Sequence, residues 1–368
     1  MTLNRAVLTT GGTGGHIFPA LAVADELRQR NPECAILFLG GSGPERELAE
    51  KHGLEFCELP ARGIMGKGIG GKLQGVMQVL RGIVRARTEL KTFRPEVVVG
   101  FGGYAGFSPV LAAAFSRIPC AVHEQNSVPG VTNRLLGKVA DRVFLSFDDT
   151  TGAFPASKTM RTGNPVRSDI FSAHNAGTRG RNLLVLGGSQ GARPINEAVA
   201  AILPELMSAG VNLLHQAGKK EEQAVRAAYE QAGADPNCVH GFMDDMARAY
   251  AWADLALCRS GASTVFEIAA AGVPAVFVPF PQATHDHQTK NAMAMERTGA
   301  ARLLEQDSMK DSLARTVLEL LDAPETLETM AAKAVEFSAP TAAADIADEL
   351  ERLAGKGSEE PHKEGLQS

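Results

Sequence analysis

Two glycine-rich turns are the segments best suited to chemistry. AVLTTGGTGGHIFP at 6–19 and LLVLGGSQGARP at 183–194 share one plan: an apolar run of strand length, a glycine turn, then a helix with a proline near its start. A strand that feeds a helix through glycines leaves main-chain N–H groups unpaired at the positive end of the helix dipole, and no Cβ obstructs an approaching anion. Phosphate is the natural guest. For one loop alone a tight turn explains the glycines equally well; two loops in register favour phosphate. Familiar phosphate binders do not fit, however. Gly11-Gly12-Thr13-Gly14-Gly15 is not G-x-G-x-x-G, and the second strand ends CAILFLGG without an acid for an NAD ribose. GKGIGGKL at 66–73 puts Leu73 where a Walker A loop needs a magnesium-binding Ser or Thr. GGSQG at 187–191 does match the nucleophile elbow of hydrolases, with Ser189 as nucleophile and Asp254 and His285 or His287 following in the required order. A serine hydrolase therefore stands as a rival.

Glu267 is the only charged side chain between Ser260 and Thr284, within SGASTVFEIAAAG. A carboxylate in such apolar company is costly to desolvate without donors, and the vicinal hydroxyls of a nucleotide ribose would supply them. By spacing alone, the first expectation is still a solvent-facing position on an amphipathic helix. The polar run QATHDHQTKN at 282–291 follows an apolar strand, at the end where open α/β sheets bind ligands. His285-Asp286-His287 makes a poor metal site because adjacent side chains point apart. There is also no D-x-D motif, so no metal is expected.

Apolar runs of strand length alternate with helical patterns. Ala6–Thr10, Ala35–Leu39, Val97–Gly100 and Ala121–His123 read as buried strands of a first half, and Leu183–Leu186, Asn212–His215, Leu255–Cys258 and Ala275–Pro279 as those of a second. The fold class expected is α/β: two doubly wound, Rossmann-like domains facing each other across a cleft. Their boundaries are 1–162 with 341–354 for the first and 163–340 for the second, with a disordered tail at 355–368.

Net charge is −5, against a basic nucleic-acid binder, and no nucleic acid is expected as a partner. The charge is uneven: residues 1–163 hold 19 Lys and Arg against 14 Asp and Glu, the remainder 18 against 28, so the halves should meet different partners. Five widely spaced cysteines without a C-x-x-C pair suggest a reducing compartment. The start of the chain carries no signal-peptide pattern, and the longest uncharged stretch, 97–116, is broken by glycines and Pro109. From Arg62 to Arg94 eight Lys and Arg accompany one acid, Glu89, interleaved with apolar residues. A glycine-rich loop followed by a basic amphipathic helix can rest on an anionic membrane. The loop, with Ile64, Met65, Lys67, Ile69 and Lys72, would face outward, while Leu73, Val76, Met77 and Leu80 pack on the sheet.

Taken together, GGTGGHIFPALAVADEL (11–27), GGYAGFSPVLAA (102–113), HEQNSVPGVTNRLL (123–136), GNPVR (163–167), GGSQGARPIN (187–196), CRSGASTVFEIAAAGVPAVFVPF (258–280) and DHQTKNA (286–292) resemble one bacterial family. It is the UDP-N-acetylglucosamine:N-acetylmuramyl-(pentapeptide) pyrophosphoryl-undecaprenol N-acetylglucosamine transferase family. The resemblance implies the two-domain GT-B fold and a metal-independent, cofactor-free, inverting transfer of GlcNAc from UDP-GlcNAc to the C4 hydroxyl of an undecaprenyl-linked muramyl peptide. It implies donor contacts at Thr13, Gly14, Gly15, Asn126, Arg167, Ser189, Ala262, Ser263, Thr264, Val265, Phe266, Glu267 and Gln288, with Met243 near the uracil and Glu267 on the ribose. The first loop would bind the acceptor diphosphate. The attacking hydroxyl needs a proton acceptor. His16 is the candidate, with Glu124 second. The GGYAGFSP loop is one residue longer than the family pattern, and His285 stands where an acid is frequent. Implied partners are the donor, the lipid acceptor, an anionic membrane surface and cell-wall synthesis proteins, at the cytoplasmic face of the membrane. A non-catalytic nucleotide-sugar binder on the same scaffold is the third reading.

Overall fold

The computed structural model describes residues 2–60, 69–173, 180–188 and 191–359. Ile64, Met65, Lys67 and Ser189 lie outside them. The chain divides into two compact units, Met1–Pro165 with Thr341–Ser368, and Val166–Pro340. The change of unit falls after Pro165 rather than at Gly163. Gly163 is still tied to the first unit, its N–H donating to Leu145 O (3.1 Å) and its carbonyl lying 3.2 Å from His123 Nε2.

The first unit is a seven-stranded, all-parallel sheet. Its strands are β1 (Arg5–Thr9), β2 (Ala35–Gly40), β3 (Glu55–Glu58), β4 (Val97–Gly100), β5 (Cys120–Glu124), β6 (Arg142–Leu145) and β7 (Thr159–Arg161), in the order β3-β2-β1-β4-β5-β6-β7. The central strands are apolar on both faces, as a parallel sheet covered by helices requires. Ala6, Leu8, Ile36, Phe38, Val97 and Val99 join one core, while Val7, Leu37, Leu39 and Val98 join the other, following the two-residue side-chain period of a strand. The helices are α1 (Gly14–Arg30), α2 (Glu45–Lys51), α3 (Ile69–Phe93), α4 (Gly103–Phe115) and α5 (Val131–Leu136). Ala20, Val23, Ala24 and Leu27 of α1 form the buried stripe expected from their spacing.

The second unit contains α6 (Ser168–Phe171), β8 (Asn182–Leu186), α7 (Arg193–Ala201), α8 (Leu203–Ser208), β9 (Asn212–Gln216), α9 (Glu222–Gln231), β10 (Val239–His240), α10 (Met246–Trp252), β11 (Leu255–Cys258), α11 (Ala262–Ala270), β12 (Ala275–Phe277), α12 (His287–Glu296), β13 (Ala301–Leu303), α13 (Met309–Leu321) and α14 (Pro324–Phe337). Its parallel sheet runs β10-β9-β8-β11-β12-β13. Counted within the unit, that is the order of the first six strands of the other sheet, so the duplication of the glycine turns is a duplication of topology.

The chain then returns to the first unit as α15 (Ala342–Glu359). Ile346, Ala347, Leu350 and Leu353 enter the core lined by α1, and Glu349 pairs with Arg142. The helix continues past residue 354, into the segment expected to be a disordered tail. Once a packed helix exists, each further residue adds one hydrogen bond without a new nucleation cost.

Candidate functional site

In doubly wound sheets, ligands bind beyond the carboxyl ends of the strands where the strand order reverses. In the first unit that point lies between β1 and β4, and its floor is made of glycine. A Cβ on Gly103 would sit 2.0 Å from Gly11 O, so the turn after β1 and the start of α4 touch backbone to backbone. Gly102 and Gly103 also have φ of +91° and +76°, the left-handed region that side chains resist. Thr13 precedes α1 in an extended conformation and provides no side-chain cap, so Gly14 and Gly15 open the helix.

His16 lies in the first turn of α1, with Nδ1 2.8 Å from Gln125 Oε1. Gln125 follows β5 and is 1% exposed; its Nε2 donates to Phe101 O (2.8 Å) and lies 3.0 Å from His123 Nδ1. His123 is fully buried, and desolvation holds its imidazole down at about 4.

Glu124 presents a different picture. Its Oε1 accepts from Asn126 N (3.0 Å) and its Oε2 from Gly130 N (3.0 Å) and Asn133 Nδ2 (2.9 Å). A carboxylate with both oxygens engaged, and 2% exposed, holds the 125–130 loop in shape. Asn126 belongs to that same loop.

In the second unit the corresponding point lies between β8 and β11, where Leu186 and Cys258 are paired neighbours. The turn after β8 needs its glycines. A Cβ at Gly187 would meet Ala192 N and Gln216 O at 2.9 Å, and Gly191, at φ +77°, would press 2.7 Å from Ala217 O. Beyond β11, α11 begins at Ala262 with Gly261 as N-cap and no capping side chain. Ser263 and Thr264 are half-buried in its first turn. Val265 and Phe266 are buried, and Phe266 packs on Phe337 with ring centroids 5.5 Å apart, so these two positions offer a ligand only main chain.

Glu267 does not simply face solvent. Tyr250, 1% exposed, donates its hydroxyl to Glu267 Oε2 at 3.0 Å. Burial raises the Glu267 carboxyl above the usual range, while the Arg167 charge and the Tyr250 hydrogen bond pull it back. Among the described residues no protein group donates to Oε1. Met243 is pinned by its N–H to Gln216 Oε1 (3.1 Å) at the end of β9. Gln288 accepts from Phe280 N (3.0 Å), and its carbonyl accepts from Ser260 Oγ (2.8 Å). The segment before it is strained: His285 and Asp286 both have φ of +55°.

Arg167, Met243, residues 262–267 and Gln288 thus belong to the second unit, and Thr13, Gly14, Gly15, His16, Glu124 and Asn126 to the first. Sequence reasoning missed Gln125 and Tyr250. Gln125 was readable as a polar residue at the carboxyl end of a buried strand; Tyr250, in an ordinary helix, carried no signal.

The hydrolase triad fails on geometry. Asp254 is fully buried and accepts from Gly180 N (2.8 Å) and Asn182 N (2.9 Å) at the amino end of β11. Gly187, where the GGSQG segment begins, follows the carboxyl end of β8, about 13 Å away along a four-residue strand, and Ser189 itself lies outside the described residues.

At Met77 and Leu80 the helix after the basic loop also differs from expectation, while the side chains of Leu73 and Val76 lie outside the described residues. Met77 and Leu80 are 48% and 54% exposed, and Val84 is 67% exposed, among the exposed Arg81, Arg85 and Arg87. The face of α3 that packs is instead Gly82, Ala86 and Leu90. A Cβ on Gly82 would lie 2.7 Å from Ser108 Oγ, so close contact with α4 turns the larger apolar side chains outward. Ile69 and Lys72 lie in the first turns of α3. Among the described residues no helix is long and apolar enough to cross a membrane.

Comparison with known proteins gives the same two-part division. Residues 6–145 match the glycosyltransferase family 28 N-terminal domain and 182–350 its C-terminal domain. A protein of Nitratidesulfovibrio vulgaris named UDP-N-acetylglucosamine–N-acetylmuramyl-(pentapeptide) pyrophosphoryl-undecaprenol N-acetylglucosamine transferase is 50% identical, over 96% of this chain and 99% of that one. Its namesake in Lawsonia intracellularis is 43% identical over 94% and 96%. A solved Acinetobacter baumannii structure titled MurG superposes with a TM-score of 0.76 at 34% identity, covering 95% of this chain and 99% of that one.

Proposed function

Because this chain belongs to glycosyltransferase family 28, among the UDP-N-acetylglucosamine–N-acetylmuramyl-(pentapeptide) pyrophosphoryl-undecaprenol N-acetylglucosamine transferases, we propose that it performs their reaction by inverting displacement. GlcNAc moves from UDP-GlcNAc to the C4 hydroxyl of undecaprenyl-pyrophosphoryl-MurNAc-pentapeptide. One observation carries the donor assignment. At the switch point of the second unit, an N-terminus without a side-chain cap stands on the same helix as a part-buried carboxylate, one oxygen of which is turned to Tyr250 and the other left to accept. The helix end suits a diphosphate, and the remaining oxygen suits a ribose diol.

In a single displacement, negative charge grows on the departing UDP as the sugar leaves. Main-chain dipoles of the second unit, already oriented, stabilise it without reorganising. The acceptor hydroxyl loses a proton as it attacks, and His16 takes it. Glu124 does not, because both of its oxygens are already occupied. The first glycine turn receives the acceptor diphosphate. The protein works peripherally at the cytoplasmic membrane surface, touching it through the exposed apolar and basic face of α3.

Titration calorimetry with UDP-GlcNAc, and radiolabel transfer to the lipid acceptor, test the assignment. A measurable heat together with labelled lipid product is expected. Absence of both sinks the reading, and a heat without transfer would favour the non-catalytic binder.

A further inference from the structure

We propose that Gln125 is a positioning residue that fixes the His16 imidazole as its Nδ1–H tautomer, so that Nε2 carries the lone pair that receives the acceptor's proton. The inference rests on the reading of His16 as the base.

The direction of the hydrogen-bond chain is set by two main-chain carbonyls, which can only accept. Gly163 O lies 3.2 Å from His123 Nε2, so that nitrogen bears a proton. His123 is buried and neutral, and a neutral imidazole has one N–H, so its Nδ1 is an acceptor. Gln125 faces that acceptor at 3.0 Å and Phe101 O at 2.8 Å with the same end of its carboxamide. That end must be the amide nitrogen: the reversed orientation would set two carbonyl oxygens against each other. Oε1 is thereby committed to His16, 2.8 Å from Nδ1. An oxygen that only accepts requires a proton on Nδ1, and in the neutral ring Nε2 is left unprotonated.

The surroundings hold this arrangement. The Phe101 and His123 rings lie 5.5 Å apart between centroids. Asn133 Nδ2 donates to His123 O at 3.0 Å. A Cβ on Gly102 would come within 3.2 Å of His16 Cε1 and Nδ1, so the glycine backbone walls the ring closely. Without the Gln125 acceptor, no hydrogen bond among the described residues distinguishes the two ring nitrogens. A population with the proton on Nε2 cannot act as base from that atom.

The test is made on the full chain with nitrogen-labelled histidine. Long-range proton–nitrogen spectra above neutral pH should show His16 protonated on Nδ1. In Gln125→Met, similar in length but unable to accept, the proton should move toward Nε2. There kcat should fall roughly 10-fold, a part of the 10²–10⁴ that general-base catalysis supplies, while KM for UDP-GlcNAc stays within about 2-fold. Gln125→Glu retains the acceptor for His16 but not the donor to Phe101 O. It should keep the Nδ1–H signature and recover more kcat than the methionine variant, whereas a purely structural role for Gln125 predicts no such rescue. A wild-type spectrum with the proton on Nε2, or a methionine variant with unchanged tautomer and kcat, overturns the proposal. A His16→Ala variant that keeps its kcat would instead remove the base reading, and with it the catalytic consequence of Gln125. The wild-type tautomer stands as a separate result, so the two failures are distinguishable.

Discussion

In the proposed reading, Glu267 is a single residue costly to the fold and useful to the ligand. Its carboxyl is raised by burial, with Arg167 and Tyr250 only partly compensating. An acid whose folded pKa lies above its unfolded value binds more protons when folded, so its ionisation lowers stability as pH rises through that window, and the cost persists above it. Glu267→Gln should therefore leave the unliganded protein at least as resistant to heat at neutral pH, measured by calorimetry. The same change should weaken UDP-GlcNAc by roughly 10- to 150-fold, the worth of a hydrogen bond to a charged group at about 1.5–3 kcal/mol. A variant that loses both stability and affinity would contradict this account. Tyr250→Phe removes a donor that lowers the carboxyl's pKa, so the acid-side loss of donor binding should begin at higher pH than in the wild type. Binding isotherms across pH would show it, and an unmoved limb would mean that Glu267 does not hold the nucleotide.

At the scale of elements, the glycine turns matter for what they let approach. Gly103→Ala puts a Cβ 2.0 Å from Gly11 O at a φ of +76°, so α4 or the first turn must move. Left-handed strain alone costs about 1–2 kcal/mol. The variant should unfold at least a few degrees lower and lose acceptor turnover, while UDP-GlcNAc affinity falls far less, because Glu267 and the start of α11 lie in the second unit. Calorimetric melting and donor titration separate the two effects, and a loss of donor binding as large as the loss of turnover would refute the division of labour. These turns were legible in the sequence because glycine spacing after an apolar run has few other causes. The central strands were legible for a similar reason: Val97–Gly100 and Leu255–Cys258 are apolar throughout and begin and end as expected. The edge strands were not. Glu55–Glu58 carries a charge at each end and no fully buried residue, Thr159–Arg161 is three residues long, and Val239–His240 is two. Such strands exist because a neighbour offers a ladder, which is tertiary information. Gln125 was hidden likewise, since its role depends on carbonyls of Phe101 and Gly163, brought together by the sheet order.

At the scale of the whole molecule, the excess of cations in residues 1–163 gathers along an element whose apolar residues are turned outward. Met77, Leu80, Arg81, Val84 and Arg85 recur at helical three- and four-residue spacing on the exposed side of α3. The sequence placed the loop outward and Met77 and Leu80 inward; what turned these two outward was Gly82, which brings α3 so close to α4 that only small side chains fit between them. Half-exposed aliphatic side chains each contribute about 1 kcal/mol when they enter a lipid interface, somewhat below the roughly 1.5–3 of full burial. Each neighbouring cation adds about 1 kcal/mol on an anionic surface. Arg85 contributes less, because Glu89 pairs with it at 2.8 Å. Substituting Met77, Leu80 and Val84 together by Ser should then lower partitioning onto anionic vesicles by roughly 100-fold, about 3 kcal/mol in all. Melting temperature and UDP-GlcNAc affinity should stay unchanged, since none of the three side chains belongs to a core cluster. Raising salt from about 0.1 M to about 1 M shortens the screening length from about 10 to about 3 Å and should release much of the wild-type protein as well. In the triple variant, salt should remove nearly all the binding that remains, because only the charge attraction is left. Sedimentation with vesicles of anionic and of zwitterionic lipid reads both effects. If the variant still binds anionic vesicles as tightly as wild type, contact is made elsewhere on the surface and the outward face of α3 has another use.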